Sequence, residues 1–282
     1  MTTRIILWGV PMCLSTVFTR CMNARGDTEI FMEPYDNCHS FGPERRISWP
    51  DQMRSAELLN DWQTYEYTQK LLEREDHYQA SIVFAKDMAY AVEGKYDMLP
   101  KGYRHTFIVR DPVKVWVAYH RRIRQLLGDK IELRNGGDLP GDLESYASQT
   151  SVYKASFDLM EYTRTVLNQA PVIIDADDLT DHPEATLRRY CLAVGIPFKD
   201  KMLSFGSSGH SKDELDQRWH CSKFFTWGEE RGGFYTKAME SKGFVSDKKE
   251  YKISDLPPEV VECVTRSKDW YEKLHALRLK PE

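Results

Sequence analysis

Short apolar runs alternate with amphipathic stretches along the chain. The runs are four to seven residues long, rich in Val and Ile, and bounded by polar residues. Such runs are typical of interior strands of a parallel sheet, because both faces of that sheet are covered. They predict strands at residues 4–10, 29–32, 80–85, 105–109 and 171–174.

Between these runs, apolar and aromatic residues recur at three- and four-residue steps, which indicates amphipathic helices. The clearest patterns cover residues 58–72, 113–127 and 260–277, and Pro257 and Pro258 open the last one. Strands that alternate with helices predict an α/β fold, with a parallel sheet between layers of helices. No linker divides the pattern, so we expect a single domain over residues 1–282.

Composition narrows the class of protein. The 282 residues include 39 Lys and Arg and 43 Asp and Glu, for a net charge of −4. A weakly acidic chain does not fit a general nucleic-acid binder. No apolar run approaches the roughly 18 residues of a membrane helix, and the first is too short for a signal-peptide core. We expect a cytoplasmic protein with no nucleic-acid or membrane partner.

The cysteines give no sign of a metal site. There are six, at positions 13, 21, 38, 191, 221 and 263, without Cys-x-x-Cys pairs or zinc-like spacing. In a chain without a signal peptide, we expect them to be reduced thiols. No metal is therefore predicted.

The first predicted strand runs through Gly9 into a short turn and then an apolar helix. Such a turn directs backbone N–H groups and the positive end of a helix dipole at one point, which favours an anion. A Walker A loop would have Gly and Lys where this chain has Leu14 and Ser15, so an ordinary ATPase or kinase is disfavoured. The simpler alternative is that Ser15 or Thr16 only caps a helix.

A second candidate anion site follows the fourth predicted strand. There the chain continues with Arg110, Asp111 and Pro112 before a helical pattern. A guanidinium at a strand's carboxyl end is a suitable bidentate donor to phosphate. A capped helix with Pro112 in its first turn would explain Asp111 and Pro112, but not Arg110.

Taken together, these segments resemble the P-loop sulfotransferases. Their loop has the pattern Pro-Arg/Lys-Ser-x-Ser/Thr-Thr, followed later by Arg-Asp/Asn-Pro after a strand. Further segments resemble a small-molecule subgroup of that family, in the same order along the chain: Glu33-Pro34, residues 86–89, residues 177–203 and residues 234–244. The resemblance implies an α/β fold of the P-loop NTPase and sulfotransferase type. It also implies sulfuryl transfer from 3′-phosphoadenosine 5′-phosphosulfate (PAPS) to a hydroxyl of a small-molecule acceptor.

The resemblance also implies which residues hold PAPS. Ser15, Thr16 and nearby amides would hold the 5′-phosphosulfate, and Arg110 would hold the 3′-phosphate. The family has a Ser eight residues after this Arg, where the chain has Ala118. The positions implied for the cofactor are Pro11, Met12, Cys13, Leu14, Ser15, Thr16, Arg110 and Ala118.

Met12 and Ala118 depart from the family pattern. Met12 stands where relatives have a Lys or Arg that neutralises charge on the leaving oxygen, and methionine cannot supply that charge. Ala118 removes one hydroxyl from the 3′-phosphate site. Our hypothesis is that Lys86, after the third strand, supplies the missing positive charge. The alternative is that Lys86 pairs with Asp87 or a surface carboxylate.

Sulfuryl transfer also needs a base for the acceptor hydroxyl. Glu33, at a strand end near the loop, is the first candidate and His39 is the second. The alternatives are that Glu33 is a buried partner of an arginine and that His39 lies in a surface loop. Two further groups are either polar site residues or ordinary structure: Asp175, Asp177 and Asp178 as a turn and cap, and Phe224, Phe225, Trp227 and Tyr235 as packing or acceptor lining.

Two classes of function remain open from the sequence. One is a PAPS-dependent sulfotransferase that acts on a small molecule. The other keeps the fold but not the cofactor: a lyase, a cyclase or another acid–base enzyme of small-molecule metabolism, or a non-catalytic ligand-binding protein. The acceptor and the oligomeric state are not indicated by any pattern in the chain.

Overall fold

One parallel sheet organises the molecule. The computed structural model describes residues 2–47, 58–76, 80–127, 152–205, 218–226, 235–246 and 248–281. Within these ranges the strands form a six-stranded sheet of order β5-β4-β1-β3-β2-β6, and every neighbouring pair is parallel. The strands are β1 (Thr3–Gly9), β2 (Thr28–Met32), β3 (Ile82–Met88), β4 (Arg104–Val109), β5 (Ile173–Asp175) and β6 (Trp219–Cys221).

Helices flank this sheet, as the alternating pattern predicts. They are α1 (Ser15–Ala24), α2 (Pro34–Phe41), α3 (Tyr65–Glu73), α4 (Pro112–Leu127), α5 (Val152–Thr165), α6 (Ala176–Asp181), α7 (Pro183–Val194), α8 (Thr236–Glu240) and α9 (Pro258–Ala276). Short 3₁₀ turns lie at Ala89–Val92, Tyr96–Met98, Asp200–Met202 and Ile253–Asp255. α9 packs against α4, α5 and β5, whereas α1 packs against β2, β3 and α8. The predicted α/β fold is confirmed.

The core is centred on β1, which lies between β3 and β4. Ile5, Ile6, Leu7 and Trp8 are all fully buried, because helices cover both faces of this strand. The Trp8 indole N–H donates to Nδ1 of His105 at 3.0 Å, so its buried polar group is satisfied. Burial lowers the pKa of His105 to about 4, which keeps the ring neutral and able to accept this bond.

Several strand and helix bounds differ from the predicted ones. β3 ends at Met88 rather than at residue 85, so Lys86 lies inside the strand and not after it. The helix predicted over residues 58–72 begins only at Tyr65, because Thr64 caps it by accepting from the Tyr67 N–H at 3.0 Å. β6 was not predicted; its three residues are too few for an apolar pattern.

Parallel pairing brings the candidate site residues to one edge. The carboxyl ends of β1, β2, β3, β4 and β5 all lie at that edge, where α/β sheets bind ligands. The strand order reverses at β1, since β2 and β3 lie on one side of it and β4 on the other. The loop after β1 therefore emerges between the chain segments that carry Glu33 and Lys86 and the segment that carries Arg110.

Candidate active site

The turn between β1 and α1 has the geometry of an anion-binding loop. Met12 and Leu14 both adopt left-handed backbone conformations, with φ of 57° and 67°. Leu14 occupies the N-cap of α1 and has no side chain that could cap it, and no acidic residue lies in the first turn. Such an N-terminus presents its amides to an external anion. The alternative in which Ser15 or Thr16 is the cap does not hold, since α1 begins at Ser15.

Gly9 allows this loop to fold back on β1. A Cβ at Gly9 would lie only 3.1 Å from the Cys13 sulfur, closer than ordinary packing allows. Cys13 is fully buried beneath the loop. Burial raises the pKa of its thiol, and the positive charge of Lys86 opposes that rise. Lys86 lies on β3, the strand next to β1, where it pairs in register with Leu7.

Arg110 joins the loop from the opposite side. It directly follows β4, is buried, and its Nη1 donates to the backbone oxygen of Met12 at 3.2 Å. The Tyr153 hydroxyl fixes the Arg110 backbone by donating to its carbonyl oxygen at 2.6 Å. Asp111 caps α4 by accepting from the Val113 N–H at 2.8 Å, so the capping explanation covers Asp111 but leaves the guanidinium available to the loop. Ala118 lies two turns into α4 and is half-buried.

Glu33 and Lys86 form a buried ion pair. Glu33 is the N-cap of α2 in a left-handed conformation, and Lys86 points to it from β3. Their side chains are only 3% and 1% exposed. The second oxygen of Glu33 accepts from the Tyr235 hydroxyl at 2.7 Å. The alternatives for these residues are wrong: Lys86 pairs with neither Asp87 nor a surface carboxylate, and the cation beside Glu33 is not an arginine.

Two further carboxyl groups surround this pair. Asp87 accepts from the backbone N–H groups of Tyr35, Asp36 and Met88 at 2.6, 3.0 and 2.8 Å. Asp36 accepts from the Tyr90 hydroxyl at 2.8 Å. Burial, followed by the negative charge of Glu33, raises the pKa of Asp36 to about 7. Burial also raises the pKa of Asp87 well above its usual range, so both Asp36 and Asp87 hold their protons more tightly than exposed aspartates do.

His39 lies apart from the Glu33–Lys86 pair. It is six residues after Glu33 on α2, which corresponds to about 9 Å along a helix axis. Its ring packs edge-to-face against Tyr90, with 5.4 Å between ring centroids, so it is not in a surface loop. Burial lowers the pKa of His39 to about 4, which keeps the ring neutral.

Comparison with known proteins bears on the fold. A family model described as a sulfotransferase domain matches residues 145–235. This match covers less than half of the chain. A search of curated protein sequences finds no significant match.

One solved sulfotransferase structure shares the fold, and two others are similar at lower TM-scores. The sulfotransferase from Alicyclobacillus acidocaldarius is 15% identical, with 98% of this chain and 95% of that chain covered and a TM-score of 0.50. A mouse sulfotransferase complexed with PAP is 12% identical, with coverage of 97% and 86% and a TM-score of 0.48. The sulfotransferase domain from the curacin biosynthetic pathway is 14% identical, with coverage of 94% and 97% and a TM-score of 0.46. The predicted sulfotransferase-like fold is confirmed, and the family model supports the prediction of a sulfotransferase-like transferase.

Aromatic side chains border the Glu33–Lys86 ion pair. Phe225 packs against Tyr235 with 4.4 Å between ring centroids, and Trp219 approaches Phe225 at 6.5 Å. Phe224 packs against Phe41 at 5.1 Å. Trp227 lies outside the described residues. The aromatic cluster thus joins α2, β6 and the segment that carries Tyr235.

The cysteines, the possible metal ligands and the helices each bear on a sequence-based expectation. All six cysteines are free thiols. In the part of the chain that the structure describes, no group of three or more His, Cys, Asp or Glu side chains is placed to hold a metal ion. None of the described helices has the length and apolar character that crossing a membrane requires.

Tyr235 and Asp36 were not identified as site residues from the sequence. Tyr235 was noted only as one of several aromatic residues, and its contact with Glu33 spans 202 positions. The sequence spacing could have identified Asp36, because it follows Glu33 by three residues and so lies about one helical turn from it. That signal required knowledge that a helix begins directly after Glu33.

Proposed function

We propose that this protein transfers a sulfuryl group from PAPS to a hydroxyl of a small molecule. The observation that carries the proposal is the position of the buried Lys86 ammonium, on the strand directly beside β1 and paired with Glu33. This loop lacks the basic residue that its resemblance to sulfotransferases calls for at Met12. Lys86 brings an equivalent charge from a neighbouring strand.

The residues at the sheet edge fit PAPS. The loop offers an N-terminus of α1 without a side-chain cap, formed by Pro11, Met12, Cys13 and Leu14, with Ser15 and Thr16 in its first turn. Arg110 lies against the same loop through Met12. These groups would hold the phosphate and sulfate oxygens, since backbone amides and guanidinium are strong donors to such anions. When bound, PAPS supplies an activated sulfuryl group and a nucleotide leaving group.

Lys86 provides electrostatic stabilisation in this proposal. A positive charge fixed in a buried site interacts strongly with negative charge that develops near it, and no solvent has to reorganise. Glu33 and the β3 backbone hold Lys86 in place. Because Lys86 is 1% exposed, water screens its charge very little.

Glu33 is the base that we assign. Its oxygens contact Lys86 and Tyr235, but a carboxylate has about four lone-pair sites and can accept a further bond from an acceptor hydroxyl. It accepts the hydroxyl proton while Lys86 remains charged. His39 is less suitable, because it lies farther along α2 and packs against Tyr90.

A second candidate function has its own support in the carboxyl cluster. Asp36, with a pKa of about 7, is poised to give and take a proton near neutrality. Met12 and Ala118 lack the charge and the hydroxyl expected for PAPS. An acid–base enzyme on the same fold, or a ligand-binding protein without turnover, would use this cluster without the nucleotide.

Nucleotide binding separates the two candidates. We expect 3′-phosphoadenosine 5′-phosphate at 100 times its Kd to raise the melting temperature by about 5 °C, because the ligand binds only the native state. Arg110→Ala should remove most of that shift. Arg188→Ala is the matched control, since Arg188 is exposed and pairs with Glu184 on α7. No shift at millimolar nucleotide would reject the sulfotransferase proposal.

Turnover then tests Lys86. Purified protein is supplied with PAPS and a panel of phenols and alcohols, and release of 3′-phosphoadenosine 5′-phosphate is measured. With an accepted substrate, Lys86→Ala should lower kcat by about 100-fold or more. Its nucleotide-induced melting shift should persist, which shows that the variant is folded. Unchanged kcat in Lys86→Ala would exclude the role assigned to Lys86.

A further inference from the structure

A carboxylate lies between two cations at the carboxyl ends of β4 and β5. Lys114 Nζ is 2.9 Å from Asp177 Oδ2, and Arg110 Nε is 4.0 Å from Asp177 Oδ1. Each oxygen of one carboxylate thus faces a different cation. We name Arg110, Lys114 and Asp177 the Asp177 cluster.

Local structure fixes the three members in this arrangement. Arg110 directly follows β4, and Lys114 comes four residues later in the first turn of α4. Asp177 lies in the first turn of α6, directly after β5, which pairs with β4. Asp175 holds this turn by accepting from the Asp177 N–H at 2.8 Å. The predicted turn-and-cap role is therefore correct for Asp175, whereas Asp177 points to the two cations.

The cluster opens toward solvent on one side. The Arg110 side chain is 8% exposed, Lys114 is 21% exposed and Asp177 is 31% exposed. Water and salt screen such a partly exposed pair, so its carboxylate can be exchanged at little cost for another anion. A phosphate group offers several oxygens and up to two charges, and therefore competes well for the same donors.

We propose that Lys114 adds a second donor to the 3′-phosphate position that the family resemblance gives to Arg110, and that Asp177 occupies this position as an internal competitor until the nucleotide displaces it. The inference rests on the proposed function. Lys114 would donate to the phosphate in place of the hydroxyl that Ala118 lacks, since an ammonium is also a phosphate donor. Asp177 also gains a specific effect, which is to weaken nucleotide binding.

Two variants and two nucleotides test this subsite in the full chain. Affinity is measured by calorimetry for 3′-phosphoadenosine 5′-phosphate and for adenosine 5′-phosphate, which lacks the 3′-phosphate. Asp177→Asn should raise affinity for the first nucleotide about fivefold, because the competing charge is removed. Lys114→Met should lower it about tenfold. Affinity for adenosine 5′-phosphate should change less than about twofold in both variants.

Asp178→Asn is the matched control. Asp178 is the next residue, but its carboxylate accepts from Arg278 at 2.7 Å rather than facing Arg110 and Lys114. It should leave both affinities unchanged. If Asp177→Asn and Asp178→Asn behave alike, or Lys114→Met weakens both nucleotides equally, the subsite is wrong while the proposed function stands. If the wild-type protein binds neither nucleotide, the proposed function fails and the subsite fails with it.

Discussion

The two charged groups at the sheet edge differ most in burial. The Glu33–Lys86 pair is almost fully buried, and the protein itself satisfies both oxygens of Glu33. The Asp177 cluster is partly exposed, and its single carboxylate is divided between two cations. One group lies where β2 and β3 end, and the other where β4 and β5 end, on opposite sides of the loop after β1.

This difference distinguishes a fixed group from an exchangeable one. A buried ion pair is costly to separate, because each charge left alone would be poorly solvated. It therefore holds its geometry before any ligand arrives, as electrostatic catalysis requires. A partly exposed cluster has little such cost, so a ligand can replace one of its members. The protein thus places its proposed chemistry in the buried group and its proposed nucleotide recognition in the exposed one.

Removing one partner of the Glu33–Lys86 pair should have the largest effect on the stability of the protein. Lys86→Met leaves the charge of Glu33 without its cation, and we expect the free energy of unfolding to fall by about 3–5 kcal/mol. Lys114→Met, in the exposed cluster, should cost at most about 1 kcal/mol. Urea unfolding of the two variants makes the comparison directly.

The double variant Glu33→Gln with Lys86→Met sharpens this test. It removes both charges, so most of the lost stability should return. Activity should not return with it, because the proposed base and cation are both gone. Equal losses of stability for Lys86→Met and Lys114→Met would contradict the contrast between the two groups.

The buried group should also make stability depend on pH. The pKa of Asp36 is about 7 in the folded protein against 3.8 for the ordinary side chain. Below about pH 4 the group is protonated in both states and costs nothing. As pH rises from about 4 to about 7, only the unfolded chain releases the proton, so the free energy of unfolding falls by up to about 4 kcal/mol.

Asp36→Asn should remove this contribution to the free energy of unfolding, and unfolding measured across that pH range in both proteins checks it. Parallel curves for wild type and Asp36→Asn would show that Asp36 ionises normally.

His39 contributes to the pH dependence of stability with the opposite sign, because its folded pKa of about 4 lies below the usual 6.5. Stability from neutral His39 is present above about pH 6.5 and is lost as pH falls. In His39→Gln, the free energy of unfolding should therefore fall less steeply below pH 6.5 than it does in wild type.

Among the changes at the Glu33–Lys86 pair, loss of the Tyr235 hydroxyl should have the smallest effect on stability. Tyr235→Phe removes one donor to Glu33 and should cost about 1 kcal/mol of stability. It should lower kcat with little change in KM for the acceptor. Tyr67→Phe, at an exposed position of α3, is the control and should match wild type. An unchanged kcat in Tyr235→Phe would show that Tyr235 does not position Glu33 for the reaction.

The sequence alone predicted the parts of the fold that local pattern specifies. β1 was recognisable because a central parallel strand is apolar at successive positions. The loop after it and Arg110 after β4 could be placed because strand, turn and helix follow directly in the chain. The predicted helix over residues 58–64 was wrong, because its apolar spacing says nothing about where Thr64 caps.

Only the tertiary structure decided which charges meet. Lys86 contacts Glu33 across 53 positions, and Tyr235 contacts Glu33 across 202, because β2 and β3 pair in one particular register and the later chain returns to them. Asp177 faces Arg110 and Lys114 because β5 pairs with β4. Hydrophobic periodicity is a local property of the chain, whereas the partner of a charged side chain depends on how distant strands align. The sequence therefore determined the edge of the sheet where the site lies, and the packing of the strands determined its chemistry.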